Sequence, residues 1–413
     1  MTLEGQGTVA IVGQGYVGLP LAIGACRVGW NVIGIDVSIK KVDDLNHGLS
    51  DVVTVKNEEL AQVIDAGRYV ASLDFTKIAE ADVVVLCLPT PLDDDNQPDL
   101  KVLMGGVYAI LPYIKNGAIL ISESTSYPGT LRNEIIPRVE SSPFSMGKEV
   151  FYAVAPERVN PGDTEWNLRN TPRIVAGIDP RSHILATNFY RTFCQRVIEA
   201  DTPEEAEAAK ILENSFRLVN ISFINEFSRI SSLANLNANK IIDLASTKPY
   251  GFMTFRPGIG AGGHCIPVDP IYYASWAREI GEVAEIVETA AKINSNLPKQ
   301  IAIKAIQLLD PTILKPKIMI IGLAYKSGTS DFRESPSIHI AEELINKGIE
   351  IIWHDPFVAK WEDSESSAIS TECDLIIYAV DQPGIDINSI TSKGISVLNC
   401  TRVEFNSSLV ISI

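Results

Sequence analysis

The segment from residue 8 to residue 37 constrains the fold of this chain more than any other. It reads TVAIVGQGYVGLPLAIGACRVGWNVIGIDV: a short β-branched run, a glycine turn, a stretch long enough for a helix, and a second β-branched run that ends in an acid. This alternation is typical of a βαβ unit, in which a helix connects two parallel strands. The sequence therefore predicts an α/β fold built on a doubly wound parallel sheet.

The glycine turn of this unit predicts a dinucleotide site. Gly13, Gly15 and Gly18 fit the pattern G-x-G-x-x-G, whose glycines allow a tight turn, a close approach of the backbone to a pyrophosphate, and close packing of helix on strand. Asp36 ends the next strand, where a carboxylate accepts hydrogen bonds from a ribose 2′-OH and repels a 2′-phosphate, which favours NAD over NADP. The alternative is a tight turn without a ligand, as occurs in other α/β proteins.

Two further strand-like runs end in small polar residues. They are ADVVVLCLPTP at 81–91 and GAILISESTSYPGT at 117–130. Ligands of open parallel sheets lie beyond the carboxyl ends of the strands, so Thr90, Ser124 and Thr125 are expected to face the cofactor. The alternative is that these residues only cap their strands.

A long helix is predicted from Thr202 onward. Thr202 is followed by a proline and by Glu205, the pattern of a capping box with proline at the first helical position. Lys210 and Asn214 are four residues apart and therefore share one face of this helix. They are candidate functional residues, and a solvated lysine beside an amide is the alternative. An apolar face on so long a helix suits a dimer interface.

The segment from residue 317 to residue 356 repeats the opening pattern of strand, glycine, helix, strand and terminal acid, here Asp355. It predicts a second doubly wound sheet. Only Gly322 stands where the first unit has three glycines, so a second complete dinucleotide site is not expected. Lys326 and Arg333 in the following loop are cations suited to phosphates, and a solvated basic loop is the alternative.

Length, composition and charge limit the functional class. With 413 residues, 46% hydrophobic, the chain is long enough for two or three domains, and its apolar runs are strand-sized. No membrane segment or basic leader is predicted, so we expect a cytoplasmic protein. A net charge of −16 argues against a nucleic-acid or anionic-membrane partner. The six cysteines contain no C-x-x-C pair and do not suggest a disulfide framework.

The loop GAGGHCIPVDP at 260–270 places Cys265 between paired glycines and two prolines. His264 and Cys265 are possible zinc ligands, but they are adjacent, and the other histidines show no ligand spacing, so no metal is expected. The acidic run at 93–99 lacks the pattern of a calcium loop and is expected to be solvated. A buried structural thiol is a further alternative. A nucleophile fits this backbone-exposing loop better, since a cysteine beside NAD can carry an aldehyde to an acid through a thioester.

Ordered motifs along almost the whole chain resemble one family. They are GQGYVGLPLA, CLPTPLDDDNQPDL, ESTSYPGT, APERVNPGD, AKILEN, FRPGIGAGGHCIPVDPIYY and GLAYKSGTSDFRESPS. In this order they resemble the nucleotide-sugar 6-dehydrogenases, the family of UDP-glucose and GDP-mannose dehydrogenases. The resemblance implies two Rossmann-like sheet domains joined by a long helix and a central helical domain. Their expected ranges are 1–200 for NAD binding, 201–312 for the helical, dimer-forming domain with the cysteine loop, and 313–413 for UDP-sugar binding.

The resemblance also implies a four-electron oxidation of the C6 alcohol of a UDP-sugar to an acid. Cys265 would capture the aldehyde as a thiohemiacetal and pass through a thioester. Lys210 would stabilise the oxyanion, with Asn214 donating alongside. Asp269 would orient water or shuttle protons, while Glu157 would activate the hydrolytic water that Thr125 positions.

By the same resemblance, two sets of residues bind the ligands. The residues expected to hold NAD are Gly13, Gly15, Tyr16, Val17, Gly18, Asp36, Lys41, Thr90, Ser124, Thr125 and Arg333. The residues expected to hold the UDP-sugar are Glu157, Arg158, Lys210, Asn214, Arg256, Gly262 and Lys326, with the NPG turn after Arg158.

The form GGHCIPVDP, with KPYGFMTFRPG upstream, resembles the branch that oxidises UDP-N-acetylglucosamine. UDP-N-acetylmannosamine and UDP-glucose are the alternatives for the sugar, and the protein is expected to be a homodimer. Two other functions stay open at this stage: a two-electron dehydrogenase of small hydroxy acids, which would leave Cys265 idle, and a non-catalytic NAD-binding regulator.

Overall fold

The structure, a computed structural model, describes residues 7–159, 165–370, 372–386, 391, 394–403, 405 and 407–413. Its strands are β1 (Thr8–Val12), β2 (Asn31–Ile35), β3 (Tyr69–Ser72), β4 (Val83–Leu86), β5 (Ile119–Ser122), β6 (Phe151–Val154), β7 (Arg173–Gly177), β8 (Val197–Glu199), β9 (Lys317–Ile321), β10 (Glu350–His354), β11 (Lys360–Trp361), β12 (Ser364–Glu365), β13 (Leu375–Tyr378), β14 (Val397–Asn399) and β15 (Val410–Ser412).

The α-helices are α1 (Gly18–Arg27), α2 (Ile39–Asn46), α3 (Asn57–Asp65), α4 (Lys101–Ile110), α5 (Ile136–Glu140), α6 (Pro180–Arg191), α7 (Pro203–Leu233), α8 (Ala238–Ser246), α9 (Asp269–Glu279), α10 (Glu285–Gln307) and α11 (Pro336–Ile345). Shorter helical turns are 3₁₀ at Phe75–Glu80 and Pro143–Ser145, and a π-helical turn at Thr130–Ile135. Across the described ranges, every helix is too short or too polar to cross a membrane.

The chain divides into two compact units. Unit 1 comprises Met1–Glu213 and Ser275–Ile280, and unit 2 comprises Asn214–Ala274 and Gly281–Ile413. Two of the divisions fall inside the helices α7 and α9, and the third follows the end of α9. Each unit contains a mainly parallel sheet flanked by helices, which confirms the predicted α/β fold class. The three-domain boundaries at residues 200 and 312 stay predictions.

The sheet of unit 1 has the strand order β3-β2-β1-β4-β5-β6-β7-β8 in the described residues. The strands run parallel except where β6 pairs with β7 antiparallel. Strand order reverses between β1 and β4, because β2 and β3 lie on one side of β1 and the later strands lie on the other. This switch point is where an open α/β sheet forms a ligand crevice beyond the carboxyl ends of its strands.

Both faces of this sheet are buried, which explains why its strands read as continuous apolar runs. In β1, Val9 and Ile11 pack into one cluster with α1 and α6, while Ala10 and Val12 pack into the cluster on the other face with α4. The alternation of side chains along a strand assigns each residue to its face.

The larger sheet of unit 2 has the strand order β10-β9-β13-β14-β15 among the described residues, all parallel, and β11 and β12 form a separate antiparallel pair. In β9, Ile318 and Ile320 face the cluster that includes α10 and α11, and Met319 and Ile321 face the opposite cluster. The predicted second βαβ unit is therefore β9, α11 and β10.

The helix α7 begins as the capping pattern predicts. The backbone N–H of Glu205 donates to Thr202 Oγ1 at 3.2 Å, and the Glu205 carboxylate accepts from the Thr202 N–H at 3.2 Å. Within unit 2, polar side chains fasten its later turns: Ser222 Oγ donates to the Ala290 carbonyl, and Ser228 Oγ donates to the carbonyl of Ile413.

Candidate active site

The glycine turn between β1 and α1 leaves open space at one position and none at its neighbours. A Cβ on Gly13 would lie 2.4 Å from the Cys87 carbonyl oxygen, and a Cβ on Gly18 would lie 1.9 Å from the Gly13 carbonyl oxygen. Around Gly15, by contrast, a Cβ would meet nothing within 4 Å. Gly13 and Gly18 are thus needed for packing, while Gly15 leaves the backbone accessible to a ligand. This cradle fits the pyrophosphate of a dinucleotide.

Beside this turn lie the N-terminus of α1 and the carboxylate of Asp36. Val17 is the N-cap of α1 and provides no side-chain cap, and Tyr16 packs against the core before it. Asp36 follows β2, and its carboxylate accepts hydrogen bonds from the backbone N–H groups of Gln14 and Ser38, both at 3.0 Å. These bonds orient an acid at the place where a ribose is expected. The Nζ of Lys41, in α2, lies 2.9 Å from the carboxylate of Asp51.

The ends of β4 and β5 meet, as their sequence pattern predicts for neighbouring parallel strands. Thr90 Oγ1 donates to the carbonyl of Thr125 at 2.6 Å, and Ser124 Oγ accepts from the Leu88 N–H at 3.0 Å. These hydrogen bonds join the loop that follows β4 to the loop that follows β5, next to the switch point.

Glu157 follows β6 and is held from three directions. Its carboxylate accepts from the N–H groups of Arg158 at 2.7 Å and Val159 at 2.5 Å, and from Arg173 Nη2 at 2.6 Å. Burial alone would raise the pKa of Glu157, but the charge of Arg173 and the Val159 N–H outweigh burial and lower it. The residue is therefore an anchored carboxylate anion.

Lys210 lies in the part of α7 that belongs to unit 1, and its charge contributes to the lowered pKa of Glu157. One helical turn further on, Glu213 pairs with Arg158, whose Nη2 lies 2.5 Å from Glu213 Oε1. Arg158 also donates to the carbonyl of Pro172 at 2.8 Å. The NPG turn after Arg158 lies outside the described residues.

In unit 2 the cysteine loop and α7 come together through one buried pair. Asn214 Nδ2 donates to Asp269 Oδ2 at 2.5 Å, and both side chains are buried. The backbone N–H of Asp269 donates to the Cys265 carbonyl at 2.8 Å, which closes the turn that carries the thiol. Cys265 is half-buried, and the ring nitrogens of His264 lie 3.7 and 3.8 Å from its Sγ.

The glycines of this loop pack against the segment after β9. A Cβ on Gly262 would lie 2.7 Å from the Glu334 carbonyl oxygen, and one on Gly263 would meet the ring of Tyr325 at 2.9 Å. The Gly263 N–H donates to the carbonyl of Arg333 at 3.1 Å. The thiol loop therefore lies against the basic loop that was singled out for phosphates.

Two of the predicted ligand-binding cations in unit 2 have acidic neighbours. The guanidinium of Arg333 donates to both carboxylate oxygens of Asp331, at 2.9 and 2.6 Å. The side chain of Arg256 pairs with Asp243 and donates to the Asn239 carbonyl. Lys326 lies in the same loop as Arg333, and its carbonyl is 3.5 Å from Gln382 Nε2.

Four buried polar side chains of unit 1 were missed by the sequence analysis. They are Glu123, Arg173, Tyr190 and Glu207. Their sequence signal is a charge or hydroxyl in an apolar context: Glu123 directly follows the buried strand β5, and Arg173 opens the apolar strand β7. Their partners lie tens of residues away, so the pairing becomes visible only in the fold.

Three family models match the chain. The NAD binding domain of the UDP-glucose/GDP-mannose dehydrogenase family matches residues 7–194, the central domain matches 204–296, and the UDP binding domain matches 319–393. The chain belongs to the UDP-glucose/GDP-mannose dehydrogenase family. It is therefore an NAD-dependent oxidoreductase, and its UDP binding domain indicates a UDP-sugar substrate.

Curated relatives in this family carry names for two acetamido sugars. The chain is 32% identical to the UDP-N-acetyl-D-mannosamine dehydrogenase of Pyrococcus horikoshii, over 91% of this chain and 89% of that protein. It is also 32% identical to a UDP-N-acetyl-D-glucosamine 6-dehydrogenase of Pseudomonas aeruginosa, over 85% of this chain and 83% of that protein.

Solved structures of the family share the fold. A UDP-D-ManNAc dehydrogenase from Pyrococcus horikoshii superposes with a TM-score of 0.88 at 28% identity, covering 98% of each chain. A UDP-glucose dehydrogenase from Pyrobaculum islandicum reaches the same TM-score of 0.88 at 22% identity, over 100% of this chain and 98% of the other, and shows the fold alone.

Proposed function

We propose that this family member oxidises C6 of a UDP-2-acetamido-2-deoxyhexose to the uronic acid, removing four electrons through a covalent intermediate on Cys265. The observation that carries the proposal is the turn in which Asp269, bonded to Asn214, also closes the loop that holds the Cys265 thiol. A hydroxy-acid dehydrogenase has no use for such a thiol. The balanced reaction consumes one alcohol, two NAD⁺ and one water, and forms one carboxylate, two NADH and three protons.

The residues around the glycine turn would hold the cofactor. The open backbone at Gly15 and the uncapped start of α1 would receive the pyrophosphate, and Asp36 would accept from the ribose hydroxyls. Thr90, Ser124 and Thr125 would line the crevice. When bound, NAD supplies the hydride acceptor for each of the two oxidations.

Cys265 is proposed as the nucleophile. Its thiolate Sγ adds to the aldehyde carbon and forms a C–S bond, which gives a thiohemiacetal and, after the second oxidation, a thioester. Water then adds to the thioester carbonyl, the C–S bond breaks, and the thiolate is released with the acid. Lys210 and Asn214 would stabilise the oxyanion of each tetrahedral species, an effect worth about 3 kcal/mol for one oxyanion donor.

Glu157 and Thr125 are proposed for the hydrolytic step. Glu157 is an anchored anion, so its carboxylate is available to accept a proton from water, and Thr125 lies in the loop that Thr90 braces. Asp269 would orient water near the thiol. Arg256, Gly262 and Lys326 in unit 2 are proposed contacts of the nucleotide sugar, and so is Arg158, while Lys41 and Arg333 are proposed for the cofactor.

A homodimer is proposed from the exposed face of α7. Its exposed apolar side chains share one face, because an advance of about 100° per residue returns positions seven and eleven apart to the same stripe. They are Leu212, Phe216, Phe223, Ile230 and Leu233. A second copy of the chain is the proposed partner. The change Phe223→Glu should give monomers in light scattering, whereas Leu314→Glu, at a site 98% exposed outside α7, should leave the dimer intact.

The sugar is decided by a substrate panel. The cysteine loop favours UDP-N-acetylglucosamine, while the name of the Pyrococcus relative points to its C2 epimer, UDP-N-acetylmannosamine. NADH formation should be fastest with one of these two and slower with UDP-glucose, UDP-galactose and GDP-mannose. Preference for UDP-glucose would contradict the acetamido assignment, and no turnover with any of them would favour a non-catalytic NAD-binding protein.

A further inference from the structure

A buried arginine in unit 1 connects two carboxylates. Arg173 is 3% exposed; its Nη2 lies 2.6 Å from Glu157 Oε2, and its Nη1 lies 3.3 Å from Glu123 Oε2. Tyr190 OH donates to Glu123 Oε1 at 2.5 Å, and the guanidinium also lies over the ring of Tyr190, 5.2 Å from its centroid. Glu123 itself is 1% exposed.

The two carboxylates are held very unequally. Glu157 receives hydrogen bonds from Arg173 and from two backbone N–H groups. Glu123 receives one hydrogen bond from Tyr190. Its Oε2 accepts no hydrogen bond, because Arg173 Nη1, 3.3 Å away, donates to the carbonyl of Ala155 at 3.2 Å. Two buried anions beside one cation leave an uncompensated charge, which is costly away from water. A proton on Glu123 removes that charge at the oxygen that lacks a partner.

The pKa shifts of the two carboxylates agree with this unequal hydrogen bonding. Burial raises the pKa of Glu123 to about 7, with Arg173 opposing the rise, whereas the pKa of Glu157 is lowered. The titratable groups that face the cluster come from several elements: Cys87 after β4, Cys194 after α6, Tyr190 in α6 and Lys210 in α7. Burial raises the pKa of both thiols and of Tyr190, so these three groups stay neutral near pH 7.

We propose that Glu123 is a positioning residue that controls, through Arg173, how tightly the Glu157 carboxylate is held, and so sets the rate of thioester hydrolysis. The role of Glu157 in that step rests on the proposed function above. When Glu123 carries a proton, Arg173 pairs fully with Glu157, which is then a weak base. When Glu123 loses the proton, both carboxylates compete for Arg173, and Glu157 becomes a stronger base toward water.

The kinetic test isolates hydrolysis from the oxidations. A single turnover is started at each pH and stopped with acid at a series of times. Mass spectrometry then measures how much acyl adduct remains on Cys265 at each time. In the wild type the hydrolysis rate should rise with an inflection near pH 7. In Glu123→Gln, which cannot ionise, the rate should stay at its low-pH value, roughly 3- to 10-fold slower at pH 8, while the first NADH and KM stay unchanged.

Two variants separate this effect from a general loss of packing. Tyr190→Phe removes the hydrogen bond to the ionised Glu123, so the inflection should move to higher pH without disappearing. Glu207→Gln changes another buried glutamate in unit 1 that caps Gly129 and Leu131, and it should keep the wild-type inflection. A wild-type pH profile in Glu123→Gln would overturn the proposal.

An infrared titration without substrate tests the proton on Glu123 independently of the proposed function. The wild type should show a C=O band of a protonated carboxylic acid that disappears with a midpoint near pH 7 and is missing in Glu123→Gln. The band of Glu207, which disappears near pH 8, is identified by its loss in Glu207→Gln and should remain in Glu123→Gln. If no Glu123-dependent band exists, the proposal is overturned even if the enzyme forms the acyl adduct. If the band exists but no adduct forms on Cys265 during turnover, the proposed chemistry fails, and with it the hydrolytic role of the cluster.

Discussion

Asn214 Nδ2 and Asp269 Oδ2 are 2.5 Å apart, and both side chains are buried, 5% and 3% exposed. The pair fastens α7 to the start of α9, directly after the cysteine loop. Removing either partner leaves the other buried without this hydrogen bond, which costs about 1–3 kcal/mol, more for a charged group.

Asn214→Ala is therefore expected to lower both the free energy of unfolding, by about 1–3 kcal/mol, and turnover. The double variant with Asp269→Ala should lose less than the sum of the two single variants, because the two side chains share one interaction. Urea denaturation of the four proteins measures this coupling. Strictly additive losses would contradict the importance of the pair.

Gly15→Ala is expected to weaken NAD binding without destabilising the fold. A Cβ at this position meets no protein atom within 4 Å, so the methyl group would project into the space assigned to the cofactor. We expect at least a tenfold rise in the NAD dissociation constant, about 1.4 kcal/mol, in calorimetry.

The matched control for that change is Gly105→Ala, which also has nothing within 4 Å of the added Cβ but lies in α4. It should leave NAD affinity unchanged and slightly stabilise the helix. Equal NAD affinity in Gly15→Ala and the wild type would place the pyrophosphate elsewhere.

Glu207 predicts a pH-dependent stability. Burial raises its pKa to about 8, although the N–H groups of Leu131 and Gly129 oppose the rise. The folded chain then binds this proton more tightly than the unfolded chain between about pH 4.5 and pH 8. The free energy of unfolding should fall as pH rises through that window, with a slope of up to about 1.4 kcal/mol per pH unit from this group.

In Glu207→Gln this contribution is lost, so denaturation curves measured from pH 5 to pH 9 should show a flatter dependence than the wild type. The amide can accept only with its oxygen, so one of the two backbone N–H groups loses its acceptor, and stability at pH 5 should fall by about 1–3 kcal/mol. Parallel pH curves for the two proteins would contradict the raised pKa.

Lys210→Ala should lower turnover by two to three orders of magnitude, roughly 3–4 kcal/mol of barrier, if the ammonium stabilises each oxyanion. NAD affinity should not change. Steady-state kinetics measures the effect, and Lys40→Ala, an exposed lysine that pairs with Asp44, is the matched control. An unchanged rate in Lys210→Ala would restore the solvated-lysine alternative.

The elements predicted from the sequence were those defined by local patterns. The βαβ unit at β1, the glycine turn, the capping box at Thr202 and the second unit at β9 each depend on residues within about one helix length of each other. The structure confirms these elements because local propensity and burial agree there.

What could not be predicted depends on distant pairing. The antiparallel register of β6 with β7 joins Val154 to Ala176 across a long connection, and the contact of Arg173 with Glu123 spans 50 residues, which a local pattern does not encode. Glu157 was identified because it lies in a motif that resembles the family. Arg173, which pairs with it, was not identified because their contact is visible only in the fold.

The central claim, a four-electron oxidation through Cys265, is tested most directly by counting NADH against acid. Purified wild type, Cys265→Ser and the control Cys373→Ser, a half-buried thiol before β13, are compared with the preferred acetamido sugar. We predict two NADH per uronic acid in the wild type and in Cys373→Ser, and no acid in Cys265→Ser, with NAD binding intact. One NADH per turnover with release of aldehyde, or undiminished acid formation in Cys265→Ser, would contradict the account.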